Sequence, residues 1–271
     1  MANQWFEDRS REEKAIEGVK CVLDIAEKLH QEKEFQQCAI YFRGQTKYDY
    51  HLRPTIGRTQ YFVGQKIDFG IESERNLIHR FRRHVYPEFK RNINDWEAIF
   101  LARHHGLPVR LLDWSISPLV ALYFAATFDT GDTKTVGDAA LWACIGKPSH
   151  RHYDILRGDT NQDIDHCYYS PEPEDDKLSD PLKEFLELTK SSKTLKFHDL
   201  QKPLLLKGVR LLFAPDVSPR ITTQGARFTI QQNPWEDLES FNPNSVNEEY
   251  VDIMRILKWK IRGDKRQSII D

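Results

Sequence analysis

The segment Ala102–Ala125, ARHHGLPVRLLDWSISPLVALYFA, places two histidines, two arginines, an aspartate and two serines next to an apolar run. His105 is a candidate general acid or base because imidazole titrates near neutral pH. Asp113 is a candidate catalytic carboxylate. The alternative for Asp113 is an ion pair with Arg110 that braces a turn and has a purely structural role.

The candidate ligand contacts that follow Asp113 are Trp114, Ser115 and Ser117. Trp114 is either a core residue or the aromatic wall of a pocket for a nucleobase. Ser115 and Ser117 precede the apolar run, and Ser117-Pro118 predicts a helix start because serine caps free N–H groups and proline suits the first turn. A helix N-terminus also attracts anions, so Ser117 can help to hold a phosphate.

A second group of chemically capable residues follows a short apolar run at Tyr41 and Phe42. Arg43 carries a guanidinium fork that suits the phosphate or carboxylate of a ligand. A carboxylate or carbonyl group of the protein itself, at the end of the strand, is an equally good partner. Gly44 permits close approach of a ligand to the backbone, and Gln45 can donate and accept hydrogen bonds. We expect this group and the Ala102–Ala125 segment to meet in one cleft.

The elements that must position these groups follow from hydrophobic periodicity and from turn residues. The pattern predicts helices over residues 11–36, 72–86 and 119–128, the last of them buried, and a further helix capped by Asp95. It predicts strands over residues 38–42, 140–145 and 209–214, a turn followed by a strand over 219–230, and a strand or a helix over 250–261. With helices early and strands late, we expect an α+β fold in which the helices pack on a mixed, mostly antiparallel sheet.

Composition excludes several classes of protein. The chain has 271 residues, of which 39% are hydrophobic and 30% charged, so a sizeable core is expected. The net charge of −2 shows no global attraction to nucleic acid. Its four cysteines form no CxxC pair, so we expect no metal centre and no disulfide framework. Without a signal peptide or an apolar run of about 20 residues, we expect a cytoplasmic protein with no membrane partner.

The sequence resembles the FRG domain family, which occurs mainly in bacteria and phages. The resemblance rests on FRGQ at Phe42–Gln45, on LRPTIGR at Leu52–Arg58 and on HHGLPVRLLDWSISPLVALYFA. It implies an N-terminal helical segment over residues 1–36 and an FRG domain over 37–271, with a surface insertion near 155–190. The family is largely without an assigned activity, so this resemblance implies a site without a reaction.

The order of parts is also similar to that of ADP-ribosyltransferases of the Arg–Ser–Glu type. That resemblance implies an ADP-ribosyltransferase-like fold, NAD as substrate, Arg43 on the NAD phosphate, and Ser115 and Ser117 in the Ser-Thr-Ser-like segment. Gln224 stands where those enzymes carry a catalytic glutamate. The expected function is therefore a divergent ADP-ribosyltransferase-like protein that binds NAD or a related nucleotide, as a bacterial toxin or anti-phage effector.

Two alternatives remain open at this point. Gln224 can hydrogen-bond a ribose hydroxyl but supplies no charge to an oxocarbenium-like transition state, which favours a non-catalytic ligand-sensing or protein-interaction module. The second alternative is a nucleic-acid-processing protein that uses His105 and Asp113 with an arginine-rich helix near Arg80. The usual explanation of such arginines is a solvated helix face.

Overall fold

The computed structural model describes most of the chain outside one long internal segment. The residues described are 5–11, 13–58, 60–62, 65–67, 71–89, 95–127, 137–146, 208–213, 226–231, 233–245 and 251–271. Gln224 and the insertion expected near residues 155–190 lie outside them.

In the part of the chain that the structure describes, one mixed sheet has seven strands: β1 (Phe6–Asp8), β2 (Ala39–Gln45), β5 (Leu111–Ser115), β6 (Ala139–Gly146), β7 (Val209–Phe213), β8 (Ala226–Gln231) and β9 (Ile253–Ile261). Their order across the sheet is β1-β9-β6-β2-β5-β8-β7. A separate hairpin consists of β3 (Gln60–Phe62) and β4 (Gln65–Ile67). The pair β1–β9 is parallel and the other pairs of the large sheet are antiparallel, which confirms the predicted mixed, mostly antiparallel sheet.

Five α-helices complete the described part of the chain. They are α1 (Val19–Gln31), α2 (Ile71–Phe89), α3 (Asp95–His104), α4 (Pro118–Ala126) and α5 (Arg266–Ile270). The helix predicted from residue 11 begins later, because Ile16 is extended and forms a bridge to Ile261 of β9. The N-terminal segment therefore contributes strand β1 to the sheet as well as helix α1.

The helices divide one face of the sheet between them. Val22 and Leu29 of α1 pack with α4 against β2, β6 and β9. Ile78 and Phe81 of α2 pack with α3 against β5, β7 and β8. A third cluster, centred on the fully buried Trp142, fills the opposite face. Successive residues of a strand point to opposite faces, so the central strands β2 and β5 are buried on both sides.

Two expectations for the Ala102–Ala125 segment were wrong. The turn expected around Asp113 is part of β5, because residues 111–115 pair with β8 along five register positions. Helix α4 was expected to be buried, yet its two aromatic side chains, Tyr123 and Phe124, are each 56% exposed. The buried side of α4 consists of Ala121, Leu122, Ala125 and Ala126. Both sides of this helix are apolar, so its composition did not reveal which side faces solvent.

Candidate functional site

The structure brings the two sequence segments together at the centre of the sheet. Strands β2 and β5 are neighbours, and they pair at a single register position, Phe42 with Ser115. Directly after this position, Nη1 of Arg43 donates to the backbone carbonyl oxygen of Asp113 at 2.7 Å and to Oδ2 of its side chain at 3.0 Å. The meeting of the two segments is thus a direct contact between two of the predicted site residues.

A second arginine approaches the same carboxylate from helix α3. Nε of Arg103 donates to Oδ1 of Asp113, and Nη2 donates to Oδ2 at 2.8 Å. This fork-to-fork geometry fixes the plane of both groups. Nη1 of Arg103 also donates to Oγ1 of Thr55 at 3.0 Å, so the side chain links α3, β5 and the loop after β2.

A third arginine, Arg58, lies beside this pair of contacts. Its Nε donates to the carbonyl oxygen of Arg53 at 2.7 Å. Burial lowers the pKa of Arg58, and the positive charges of Arg43 and Arg103 lower that pKa further. We name Arg43, Arg58 and Arg103 around Asp113 the arginine cluster.

The arginine cluster sets the protonation state of its carboxylate. Burial acts to raise the pKa of Asp113, but the hydrogen bond and charge of Arg103, followed by those of Arg43, lower it from 3.8 to about 2. Asp113 is therefore ionised at neutral pH and is a weak base. Its side chain is 37% exposed, compared with 14% for Arg43 and 21% for Arg103, so the carboxylate lies at the rim of the cluster.

The two residues after Arg43 serve the scaffold. A Cβ on Gly44 would overlap the carbonyl oxygen of Ala121 and lie 2.6 Å from the backbone nitrogen of Ala125. Helix α4 therefore fills the space beside Gly44 in which a ligand was predicted to approach the backbone. Gln45 is buried: its Oε1 accepts from Nε1 of Trp142 at 2.7 Å, and its Nε2 donates to the carbonyl oxygen of His51 at 3.1 Å.

The residues that follow Asp113 also have structural partners. Trp114 is 3% exposed and its Nε1 donates to Oγ1 of Thr229 at 3.1 Å, so it is a core residue and not a pocket wall. Oγ of Ser115 accepts from the backbone N–H of Ser117 at 3.0 Å. Ser117 caps α4 as predicted, because its Oγ accepts from the N–H of Val120. The two serines thus fix the entry into α4 beside the arginine cluster.

His105 faces a different region from the arginine cluster. Its ring lies 5.7 Å from the ring of Phe81 on α2 and 5.4 Å from the ring of His104. His105 follows Arg103 by two residues, which places it roughly 200° further around the helical turn. The structure therefore separates His105 from Asp113, and the expected contribution of Gln224 lies outside the described residues.

The prediction of an ion pair between Arg110 and Asp113 was wrong. Arg110 is paired with Glu74 of α2, through Nη2 to Oε2 at 2.7 Å, and both side chains are almost completely buried, at 1% and 0% exposure. Side chains three apart on an extended chain point to opposite faces, so the two residues cannot meet across β5. The buried pair instead fastens α2 to the start of the strand that carries Asp113.

Sequence reasoning missed Arg58 and Arg103 as members of the site. Arg58 ends the Leu52–Arg58 motif, so the motif itself was a signal for it. Arg103 carried no such signal, since its partner lies ten residues away on another element. On helix α2, Arg80 and Arg83 are exposed, as expected for a solvated helix face.

Among the described residues, no helix combines the length and apolarity needed to cross a membrane.

Neither the comparison with curated proteins nor the comparison with solved structures found a match. Residues 38–133 match the family model of the FRG domain. This range contains Arg43, Arg58, Arg103 and Asp113, so the whole arginine cluster lies within the segment that matches the FRG domain.

Proposed function

We propose that this protein binds NAD or a related nucleotide through the phosphates, at the arginine cluster. Two guanidinium groups bound to Asp113, with the charge of a third close by, carry the proposal. Arg43 and Arg103 together have one more positive charge than Asp113 neutralises, and Arg58 adds its charge to the same region. Guanidinium forks match the oxygens of phosphate groups in shape and charge.

The donors of Arg43 also favour an anionic ligand. Its Nη1 donates to Asp113, whereas its Nε is buried and has no hydrogen-bond partner in the described part of the chain. Buried donors are usually satisfied, so an unmet donor beside an accessible carboxylate calls for an acceptor. In this proposal Asp113 orients the guanidinium groups, and the ligand phosphate supplies the missing acceptor.

An ADP-ribosyltransferase-like arrangement is part of the same proposal. In the transferases that the sequence resembles, an arginine ends an early strand, and a serine-rich segment leads into a helix. Here Arg43 lies on β2, and the segment Ser115–Ser117 joins the neighbouring strand β5 to α4. We assign Gln224 to the ribose of the ligand, and a toxin or anti-phage effector role to the protein.

One observation favours the alternative of a ligand-sensing module without turnover. With a pKa of about 2 and two guanidinium partners, Asp113 does not accept a proton at neutral pH. It can stabilise positive charge only weakly, because Arg43 and Arg103 already neutralise it. Catalysis would then depend on a carboxylate outside the arginine cluster.

Calorimetric titration with NAD tests the binding proposal. We expect the wild-type chain to bind NAD. Arg43→Gln should bind NAD at least about tenfold more weakly, because it loses a guanidinium contact to the phosphates. A tenfold change in the dissociation constant corresponds to roughly 1.4 kcal/mol. Arg83→Gln is the matched control, because Arg83 is exposed on α2, and it should bind like wild type. Failure of the folded wild-type chain to bind NAD would overturn the proposal.

Turnover is measured separately, by incubating the chain with labelled NAD and cell lysate. Released nicotinamide or a labelled macromolecule, lost in Arg43→Gln and kept in Arg83→Gln, would establish a transferase or hydrolase. Binding of NAD without either product would establish the sensing module.

A further inference from the structure

A second group of side chains gathers where the loop after β2 meets the segment before β9. His51 lies in this loop, and Asp237 and Glu239 lie on either side of Leu238, where a short 3₁₀ helix, Leu238–Ser240, begins. The backbone N–H of Leu238 donates to the carbonyl oxygen of Leu52 at 2.9 Å, which holds the two segments together. We name His51, Asp237 and Glu239 the histidine–carboxylate triad.

The three candidate ligand atoms of the triad converge. Nδ1 of His51 lies 2.8 Å from Oε1 of Glu239 and 3.6 Å from Oδ2 of Asp237. All three atoms lie within 4.8 Å of one another. Ligands about 2.1 Å from a tetrahedral metal ion lie about 3.4 Å apart, so the observed separations bracket those of a metal site.

Each carboxylate of the triad is held through its other oxygen. Oε2 of Glu239 accepts from the backbone N–H of Leu52 at 3.0 Å. Oδ1 of Asp237 accepts from Nε of Arg53 at 2.8 Å. Both carboxylates therefore direct their remaining oxygen towards His51, as hydrogen bonds behind a metal ligand do in metalloproteins.

Burial and charge favour a cation at the triad. The side chains of Glu239 and Asp237 are only 8% and 17% exposed, and buried charges are usually paired or coordinate a metal. Arg53 pairs directly with Asp237, and the positive charge of Lys258 also acts on Glu239. His51 is 64% exposed, so an ion at its Nδ1 would be reached from solvent and would keep room for a water ligand.

We infer that the histidine–carboxylate triad is a binding site for one divalent transition-metal ion of the Zn²⁺ or Mn²⁺ class. One imidazole nitrogen with two carboxylate oxygens suits these ions, whereas Mg²⁺ and Ca²⁺ prefer oxygen ligands throughout. The ion takes the position of the proton between His51 and Glu239. The competing explanation is a protonated His51 paired with the two carboxylates, and it predicts no metal binding.

The inference does not depend on nucleotide binding. It does connect the triad to the arginine cluster, because the segment of this loop from His51 to Arg58 runs from one to the other. Arg58 donates to the carbonyl oxygen of Arg53, whose side chain holds Asp237. A metal ion at the triad would fasten this loop at the end opposite to the arginine cluster.

The test uses the full chain, freed of metal with a chelator and then titrated with Zn²⁺ by calorimetry. We expect one Zn²⁺ site per chain that is lost in His51→Ala and weakened at least tenfold in Glu239→Gln. The glutamine keeps an acceptor for the N–H of Leu52. His30→Ala is the matched control, because His30 is exposed on α1, and it should bind like wild type.

Co²⁺ serves as a spectroscopic probe of the ligands. We expect d–d absorption without a thiolate charge-transfer band, and loss of this absorption in His51→Ala. A thiolate band would assign the ion to a cysteine and would overturn the inference. So would the absence of Zn²⁺ binding by wild type, or equal binding by wild type and His51→Ala when thermal melting shows both to be folded.

Discussion

Asp113 holds one guanidinium through both carboxylate oxygens and a second through Oδ2 and its backbone carbonyl. Because these contacts lower the pKa of Asp113 to about 2, the ionised form is favoured in the folded state. At the scale of single residues, the candidate site is therefore an ion-pair network in which Asp113 positions Arg43 and Arg103.

The first prediction concerns the pH dependence of this network. A pKa that is lower in the folded than in the unfolded state stabilises the fold above the unfolded value, and this contribution is lost as the pH falls through the folded value. For Asp113 the window runs from about 4 down to about 2. The difference in unfolding free energy between wild type and Asp113→Asn should therefore be largest at neutral pH and shrink across this window.

Urea unfolding at pH 7, 4, 3 and 2 measures this difference. Asp24→Asn is the control, since Asp24 is exposed on α1, and it should differ little from wild type at every pH. A difference for Asp113→Asn that stays constant from pH 7 to pH 2 would refute the role assigned to the carboxylate.

At the scale of elements, two contacts hold helices against the strands of the site. The buried pair of Glu74 with Arg110 fastens α2 to β5, and Gly44 allows α4 to lie directly on β2. Neither contact was evident in the sequence, because each joins residues far apart in the chain. Ser117-Pro118 was evident, because a helix cap depends on residues within one turn.

The second prediction addresses the buried pair. Glu74→Gln keeps the size of the side chain but removes the buried negative charge that faces the guanidinium of Arg110, and we expect a loss of about 3–5 kcal/mol in unfolding free energy. Glu17→Gln is the matched control, because Glu17 pairs with Arg262 at the surface, where both side chains are about half exposed. The control should lose little unfolding free energy, because solvent screens an exposed ion pair. Chemical denaturation measures both, and equal losses would contradict the assignment.

The third prediction addresses the contact between α4 and β2. Gly44→Ala places a methyl group where the backbone of Ala121 and Ala125 lies, so α4 must shift, and we expect a loss of about 1–3 kcal/mol or more. Gly18→Ala has no atom within 4 Å of the added methyl group and an extended backbone at φ −175°, so it should be close to neutral. Thermal melting of both variants distinguishes the two positions, and a neutral Gly44→Ala would show that α4 adapts.

At the scale of the whole molecule, the sheet extends beyond the residues that match the family model. Within residues 38–133, strands β2 and β5 pair with each other at one register position. Strand β2 pairs with β6 at seven positions, and β5 pairs with β8 at five. Strands β6 and β8 both lie outside the matched range, so the matched segment contains the centre of the sheet without its neighbours.

The fourth prediction follows from this arrangement. A fragment of residues 38–133 should not fold by itself, because β2 and β5 would expose their apolar faces and most of their backbone hydrogen-bonding groups. Far-UV circular dichroism and amide proton dispersion should show an unfolded fragment beside a folded full chain. A cooperative unfolding transition in the fragment would contradict the prediction.

The sequence by itself determined the features that depend on near neighbours. These are the helices with clear periodicity, the cap of α4, the strand that carries Arg43, and the family motifs that include Arg58. Only the tertiary structure decided which charges meet and which faces are open to solvent. Asp113 is paired with a residue 70 positions away, and Arg110 with one 36 positions away. Such partners are set by the packing of distant elements, and no local pattern in the sequence encodes them.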